Sequence, residues 1–506
     1  MFVVYIIAAI PLLLYLFSKW RYTYWSRRGI DNPEPDLFYG NFKKNNKEDT
    51  FFGYLLKECY DKYKAQGKRH FGIFAFLTPV YIPIDLESIK NILQNDADHF
   101  KNHGTYFNED ADPLRAHLFN LENDRWKNLR AKLSPTFTSG QIKMMFHTMV
   151  DCTKELKIIL DDQATSRNPI DIKDVLARLT TDTIGSVAFG VNCNSLKNPD
   201  SEFRQYGKMI FEGTPSTKFA RIVANFIPKW LFTKAGFKIM DKDVEDFFYN
   251  LVKDTTSYRE QNNIFRKDFL HLLIQLKNFG KIREDGILTN KETTQSIMTF
   301  DEMAAQCYVF FIAGFETSAS TMTFALLELA LNEDIQDRLR QNINNILKKH
   351  NNNLTYEAVM EMDYLEKVIQ ETLRKHPPGT VLPRICNKAY NAPNSDLVIQ
   401  EGTRVFIPAY AIHRDPEYFP DPKKFDPERF SDGNKQWPPF AFMPFGLGPR
   451  TCIGSRFGKM QAKVGLLSII NNFRVTLNER TKLPITYSSA LIPTVKGGVW
   501  LNIEQI

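Results

Sequence analysis

The sequence predicts a mainly α-helical fold with small β-sheets, preceded by an apolar membrane anchor. Three observations carry this expectation. Helical periodicity dominates the middle of the 506-residue chain, as expected of amphipathic helices. Short β-rich runs occur near Phe71 to Ile84, at Arg404 to Ile407 and close to the C-terminus. Finally, the first 18 residues carry no charge.

That opening stretch, MFVVYIIAAIPLLLYLFS, is followed at once by Lys19, Arg21, Arg27 and Arg28. It is long enough to cross a bilayer, or nearly so. A cleaved secretory signal would need a basic start and a small-residue cleavage site, and neither precedes the basic cluster. Basic residues stay on the cytosolic side, so the remainder of the chain is expected in the cytosol and the Asn353-Leu354-Thr355 sequon unglycosylated. Residues 19–35 read as a basic linker stiffened by Pro33 and Pro35, and residues 36–506 as the globular body.

Composition narrows the function. With 43% hydrophobic residues and 40 Phe, the chain can enclose a large apolar core or pocket. The six Cys, at 59, 152, 193, 307, 386 and 452, form no Cys-x-x-Cys pair, which argues against a disulfide scaffold or a zinc site. A net charge of +7 is spread too evenly for a nucleic-acid surface. No Gly-x-Gly-x-x-Gly or Walker-type loop occurs, so no nucleotide cofactor is expected on this chain. There is no internal repeat, and the charged stretch from Lys277 to Lys291 reads as a surface connection.

One long helix stands out. Thr299 can cap it, Glu302 completes a capping box, and helical residues run to about Leu331, roughly 30 positions or about 45 Å. Asp301, Gln306, Glu316 and Glu328 would be costly in a bilayer, so a buried central helix is expected.

From Phe445 the chain reads F-G-L-G-P-R-T-C-I-G. Gly446 and Gly448 permit tight backbone turns ahead of Cys452, Gly454 leaves room just after it, and backbone amides there can hydrogen-bond a thiolate. This resembles the haem-binding signature F-x-x-G-x-R-x-C-x-G of the cytochrome P-450 superfamily at every fixed position. The wider stretch Phe442 to Lys463 is similar to insect family-six microsomal monooxygenases.

The resemblance implies a P-450 fold holding haem b, with Cys452 as axial iron ligand and Phe445, Gly446 and Gly454 beside the cofactor. In the long helix, Ala313-Gly314-Phe315-Glu316-Thr317-Ser318 resembles the family's oxygen-activation motif. There Gly314 would leave room for dioxygen beside the helix, Thr317 would offer a hydroxyl and Glu316 would conduct protons. Trp126 and Arg130, at i and i+4, match a Trp-x-x-x-Arg helix that meets the haem propionates, and Arg384 and Arg450 are further expected partners. Glu371 and Arg374, at i and i+3, with Arg429 of Pro427-Glu428-Arg429-Phe430, resemble a buried structural Glu-Arg-Arg network.

The same resemblance implies oxygen insertion into lipophilic substrates such as plant toxins or insecticides. Electrons would come from NADPH through cytochrome P-450 reductase, with cytochrome b5 as a further partner, at the endoplasmic reticulum membrane. Arg125, Lys127, Lys132, Arg456 and Lys459 would form a basic face for an acidic reductase. Apolar residues from Phe211 to Phe237, among them Phe219, Phe226, Ile227, Trp230 and Leu231, would dip into the membrane interface. The pocket would be lined by the Asn102 to Leu121 loop, the Ala313 turn, Val381, Leu382 and the Leu491 to Thr494 segment. Two alternatives stand beside this reading: a haem-thiolate isomerase or dehydratase, and a non-catalytic haem sensor or ligand-binding protein.

Overall fold

The computed structural model describes residues 2–42, 51–223, 229–282, 298–393, 397–488 and 492–506. Phe226, Ile227, Leu491 and the charged stretch beyond Ile282 lie outside the described residues, as do the side chains of Ile222, Val223 and Trp230.

The long helix spans Phe300–Leu331. Thr299 accepts the Glu302 N–H, and the Glu302 carboxylate accepts the Thr299 N–H at 3.0 Å, the reciprocal cap read from the sequence. Its apolar composition would suit a membrane span, yet it is packed on nearly every side. The polar residues are satisfied from neighbouring elements: Gln306 accepts the Leu118 N–H at 2.9 Å, and Glu328 pairs with Lys375 at 2.9 Å. A helix apolar all round is stable here because other helices cover it all round. Two of these are Ile172–Ile184, capped by Asp171, and Ser455–Ile470.

Among the described residues, nine short strands gather into three sheets. The largest runs β1-β2-β7-β4, comprising His70–Ala75, Thr78–Pro83, Arg404–Ile407 and Leu382–Ile385. Strand β4 lies antiparallel to β7, with Arg384 opposite Val405. Strands β3 (Ile170–Asp171), β9 (Trp500–Gln505) and β8 (Phe473–Leu477) form a second sheet, and β5 (Tyr390–Asn391) pairs with β6 (Val398–Ile399) in a third. The hydrophobic interior divides accordingly into a large helical core and a smaller core around the first sheet.

The sheet core corrects the linker reading. Trp25, inside the stretch read as a linker, is 2% exposed and donates its indole N–H to the Ile73 carbonyl at 3.0 Å, and Gly72 N–H bonds to the Asp31 carbonyl. The folded body therefore reaches back at least to Trp25, because an indole needs both apolar cover and a hydrogen-bond acceptor. Before it, the helix Phe2–Tyr22 leaves Leu12, Leu13, Leu14, Leu16 and Phe17 exposed.

All six cysteines are free. Burial pushes the thiols of Cys59, Cys152 and Cys386 up to about 11, which makes them inert packing groups.

Candidate functional site

The segment from Phe445 folds back on itself before Cys452. The Cys452 N–H donates to the Phe445 carbonyl at 2.8 Å, and the Thr451 hydroxyl reaches the same carbonyl at 3.3 Å. Gly448 takes φ +71° with its missing side chain against the Leu93 carbonyl: a Cβ there would lie 1.8 Å from that oxygen. Only glycine fits, since both the conformation and the space exclude a side chain. Gly454 then caps the helix Ser455–Ile470, placing Cys452 just ahead of its N-terminus. Cys452 is exposed, yet protein surrounds it closely enough for burial to raise the thiol pKa, with the Gly454 N–H and Arg130 drawing it down. A sulfur that is exposed and yet closely surrounded by protein opens on a slot rather than on the outer face.

The central helix lines that slot. Phe457, five residues beyond Cys452, packs its ring 5.0 Å from Phe310, which sets the cysteine loop beside the helix. Ala313 is exposed although Gly314 and Phe315 next to it are buried. One turn on, the Thr317 hydroxyl donates to the Ala313 carbonyl at 2.6 Å, leaving its oxygen lone pairs free to accept.

Two expectations change here. Gly314 does not hold open space: a Cβ at that position would meet Ile184 Cδ1 at 2.4 Å, so the glycine serves close helix packing and the open surface belongs to Ala313. Glu316 is held by Lys173 of the neighbouring helix, Oε1 to Nζ 2.5 Å, with both side chains under one-fifth exposed.

Beside the cysteine lies a group of cations. The Arg450 guanidinium sits 3.9 Å over the Trp126 ring and donates to the Lys101, Leu118 and Leu121 carbonyls. Arg384 is 4% exposed and donates to the Pro383 carbonyl. Arg130 is half-buried and near enough to Cys452 for each to shift the other. Burial, reinforced by Arg384, pushes Arg450 down to about 9, and burial takes Arg384 to about 10. A guanidinium does not give up its proton at neutral pH, so these shifts measure how unfavourably the charges are housed. Among the described residues, none of the three meets a carboxylate within ion-pair distance. Such a set fits a ligand carrying two carboxylates, and an accessible sulfur beside it fits a metal.

Arg374 contrasts with these. It grips Glu371 twice at 2.7 Å, both fully buried, while Arg429 approaches the same carboxylate at 3.5 Å. Arg374 also donates to the His413 carbonyl, and His413 Nε2 accepts the Met443 N–H at 2.9 Å. The network thus connects through His413 to the chain just before the cysteine loop. His413 was missed from sequence because its partners lie 39 and 30 positions away. His103 was missed likewise: beside Arg384 and Arg450, its pKa is lowered to about 3, chiefly by burial.

On the expected basic face, Arg125 is taken up by Glu109 and Lys459 by Glu366, each at 2.7 Å, and Arg456 reaches the Phe137 carbonyl. Lys127 and Lys132 lie on the Trp126 helix, Asn123–Leu133. Val381 and Leu382 are half-buried at the start of β4, and Ser320 of the central helix donates to the Pro493 carbonyl at 2.9 Å.

Comparison with known proteins agrees with this geometry. The family profile for cytochrome P450 matches residues 32–500. The chain is 42% identical to cytochrome P450 6a2 of Drosophila melanogaster, over 99% of both chains, and 40% identical to cytochrome P450 6A1 of Musca domestica, over 100% of this chain and 98% of the other. It is also 41% identical to the probable cytochrome P450 6a23 of Drosophila melanogaster, over 99% and 98%. A match across residues 32–500, a cysteine opening beside the central helix and interior cations that meet no acid among the described residues lead to one conclusion: the chain belongs to the cytochrome P450 family of haem monooxygenases.

Proposed function

We propose that Cys452 is the thiolate ligand of haem b and that the protein inserts one atom of O₂ into lipophilic substrates. The observation carrying this reading is the accessible Cys452, set by its glycine loop beside the exposed Ala313 turn. When bound, the haem supplies the activation of dioxygen, aided by electron donation from the thiolate.

The chain's own groups do the rest. Arg450, stacked on Trp126, joins Arg130 and Arg384 in holding the two propionates, converting badly housed cations into charge-assisted hydrogen bonds. Gly454 and its neighbouring amides orient the sulfur. The Thr317 oxygen presents lone pairs to the slot, accepting and passing on a proton one turn from Ala313. Glu316, fixed by Lys173, holds a carboxylate one residue from that hydroxyl, where it can accept a proton and relay it. The ring packing of Phe310, Phe457 and Phe137 keeps bulk water from this side of the site. Glu371, Arg374 and Arg429 are structural.

Electrons would come from NADPH through an acidic reductase, with cytochrome b5 as a second donor. Arg125, Lys127, Lys132, Arg456 and Lys459 would make up that face, with Arg125 already paired to Glu109 and Lys459 to Glu366. The helix Phe2–Tyr22, with its exposed Leu12 to Phe17 side, would anchor the protein in the endoplasmic reticulum membrane. Exposed Phe219, Leu231 and Phe237 would rest on the same surface. Resemblance to the insect family-six enzymes favours xenobiotics as substrates.

The test is the carbon monoxide difference spectrum of the reduced protein. A strongly red-shifted Soret band is expected, lost in Cys452→Ala. A folded Cys452→Ala that keeps the band overturns the ligand assignment. Hydroxylated product coupled to NADPH oxidation separates a monooxygenase from a haem-thiolate isomerase or a sensor.

A further inference from the structure

His103 stands among the interior cations on a segment that touches two of them. An isolated antiparallel bridge pairs Asn102 with Ile385, closed by the Ile385 N–H on the Asn102 carbonyl at 2.9 Å. Opposed residues of an antiparallel pair share a face, so the next position sets His103 across from Arg384. Two residues before His103, the Lys101 carbonyl accepts Arg450 Nε.

The segment is firmly seated. Asn102 is 1% exposed and exchanges two hydrogen bonds with Asn123 at the head of the Trp126 helix, at 2.9 and 3.1 Å. Gly104 takes φ +71°, and a Cβ there would lie 3.3 Å from Ile385 Cβ. The His103 ring is fixed as well. It packs on Phe119 with centroids 4.2 Å apart, and its Nδ1 lies 2.9 Å from the Phe119 carbonyl.

That carbonyl decides the tautomer. It can only accept, so Nδ1 carries a proton, and in the neutral ring Nε2 is left with a lone pair. A neutral His103 therefore has nothing to offer a carboxylate from Nε2. A second proton would make Nε2 a charged donor, but the surroundings oppose it. Burial, reinforced by Arg384 and Arg450, holds His103 at about 3. Glu122 and Arg130 act on Arg450 with opposite signs. Asp98, His99, Lys101, Lys127 and Lys388 border a polar groove that His103 does not line. Two carboxylates seated against Arg384 and Arg450 would reverse the balance, because a nearby anion favours the charged imidazole.

We propose that His103 is a fourth partner of the two haem propionates: as the cofactor seats, Nε2 takes one proton from solvent and donates a hydrogen bond to a carboxylate. The proposal rests on the haem site assigned above. Its consequence has a definite sign. Without haem the ring is neutral, and with haem it is charged, so binding takes up a proton and haem retention falls as pH rises through the pKa of the haem-bound form.

The experiment times haem transfer from the holoenzyme to an excess of acceptor protein, from about pH 6 to about pH 9, the range in which a histidine titrates beside an anion. The unmodified protein is compared with His103→Gln, which stays neutral, and His103→Arg, which stays charged, each starting with its carbon monoxide band intact. Titration of Cys452 is common to all three and cancels in the ratios. At the acid end the unmodified protein is expected to hold haem about tenfold longer than His103→Gln, the equivalent of one pKa unit, and as long as His103→Arg. At the alkaline end it should match His103→Gln and fall about tenfold below His103→Arg. The ratio to His103→Arg decides the matter if His103→Gln does not load haem. A ratio that stays constant with pH, or that changes in the opposite direction, overturns the proposal. Absence of the red-shifted carbon monoxide band in the unmodified protein would instead overturn the haem site itself.

Discussion

Two groups of buried arginines use the same side chain for opposite ends. Arg374 and Arg429 surround Glu371, and each also donates to backbone carbonyls, so their charges are matched within the chain. Arg130, Arg384 and Arg450 crowd together beside Cys452 with no carboxylate at ion-pair distance among the described residues. The difference teaches how a recognition site is recognised. A buried charge is retained either because the protein neutralises it or because something else does. The first group holds the fold, and the second awaits a dianionic partner.

The comparison can be broken most forcefully at Glu371. Glu371→Ala strands Arg374 in the interior at an expected cost of about 3–5 kcal/mol, read by chemical denaturation. A loss below about 1 kcal/mol would show that the network is not matched as described.

Arg384 should behave in the opposite way, because its hydrogen bond runs only to the adjacent residue. Arg384→Leu is expected to leave denaturant stability of the haem-free protein level or slightly raised. Haem retention should weaken by about 2 kcal/mol, the value of a charge-assisted hydrogen bond, measured by transfer of haem to an acceptor protein. Equal losses in both measurements would erase the distinction between the two groups.

The smallest effect concerns pH. Burial pushes Glu366 up, but Lys463 and Lys459 outweigh it and hold its carboxyl at about 2, below the ordinary 4.5. A depressed carboxylate contributes stability above its unfolded pKa, and this is lost as pH falls from about 4.5 towards 2. Lys459 is one-third exposed, so solvent screening limits the effect to about 1 kcal/mol. Glu366→Gln should flatten the acid limb of the stability profile by that amount, whereas Arg384→Leu should leave the limb unchanged.

Much of this was legible in the chain itself where the signal is local. The capping box at Thr299 and Glu302, the glycine-framed loop before Cys452 and the i, i+3 pair Glu371 and Arg374 all lie within a few residues, and the fold keeps each as read. The β-rich runs also became strands, although the pairing of β2 with β7 joins segments more than 300 positions apart. The start of the folded body was not legible, because a basic, proline-containing stretch carries no local sign that a sheet will offer the Trp25 indole an acceptor.

By itself, then, the sequence determined the cysteine loop, the central helix and the family to which both belong, because backbone preferences and motif spacing act over short distances. Tertiary structure alone decided what each side chain meets. It filled the space at Gly314 with Ile184, tied Glu316 to Lys173 across 143 positions, and gathered three arginines near Cys452 that meet no acid among the described residues. Burial and charge pairing are sums over neighbours, and neighbours exist only once the chain has folded.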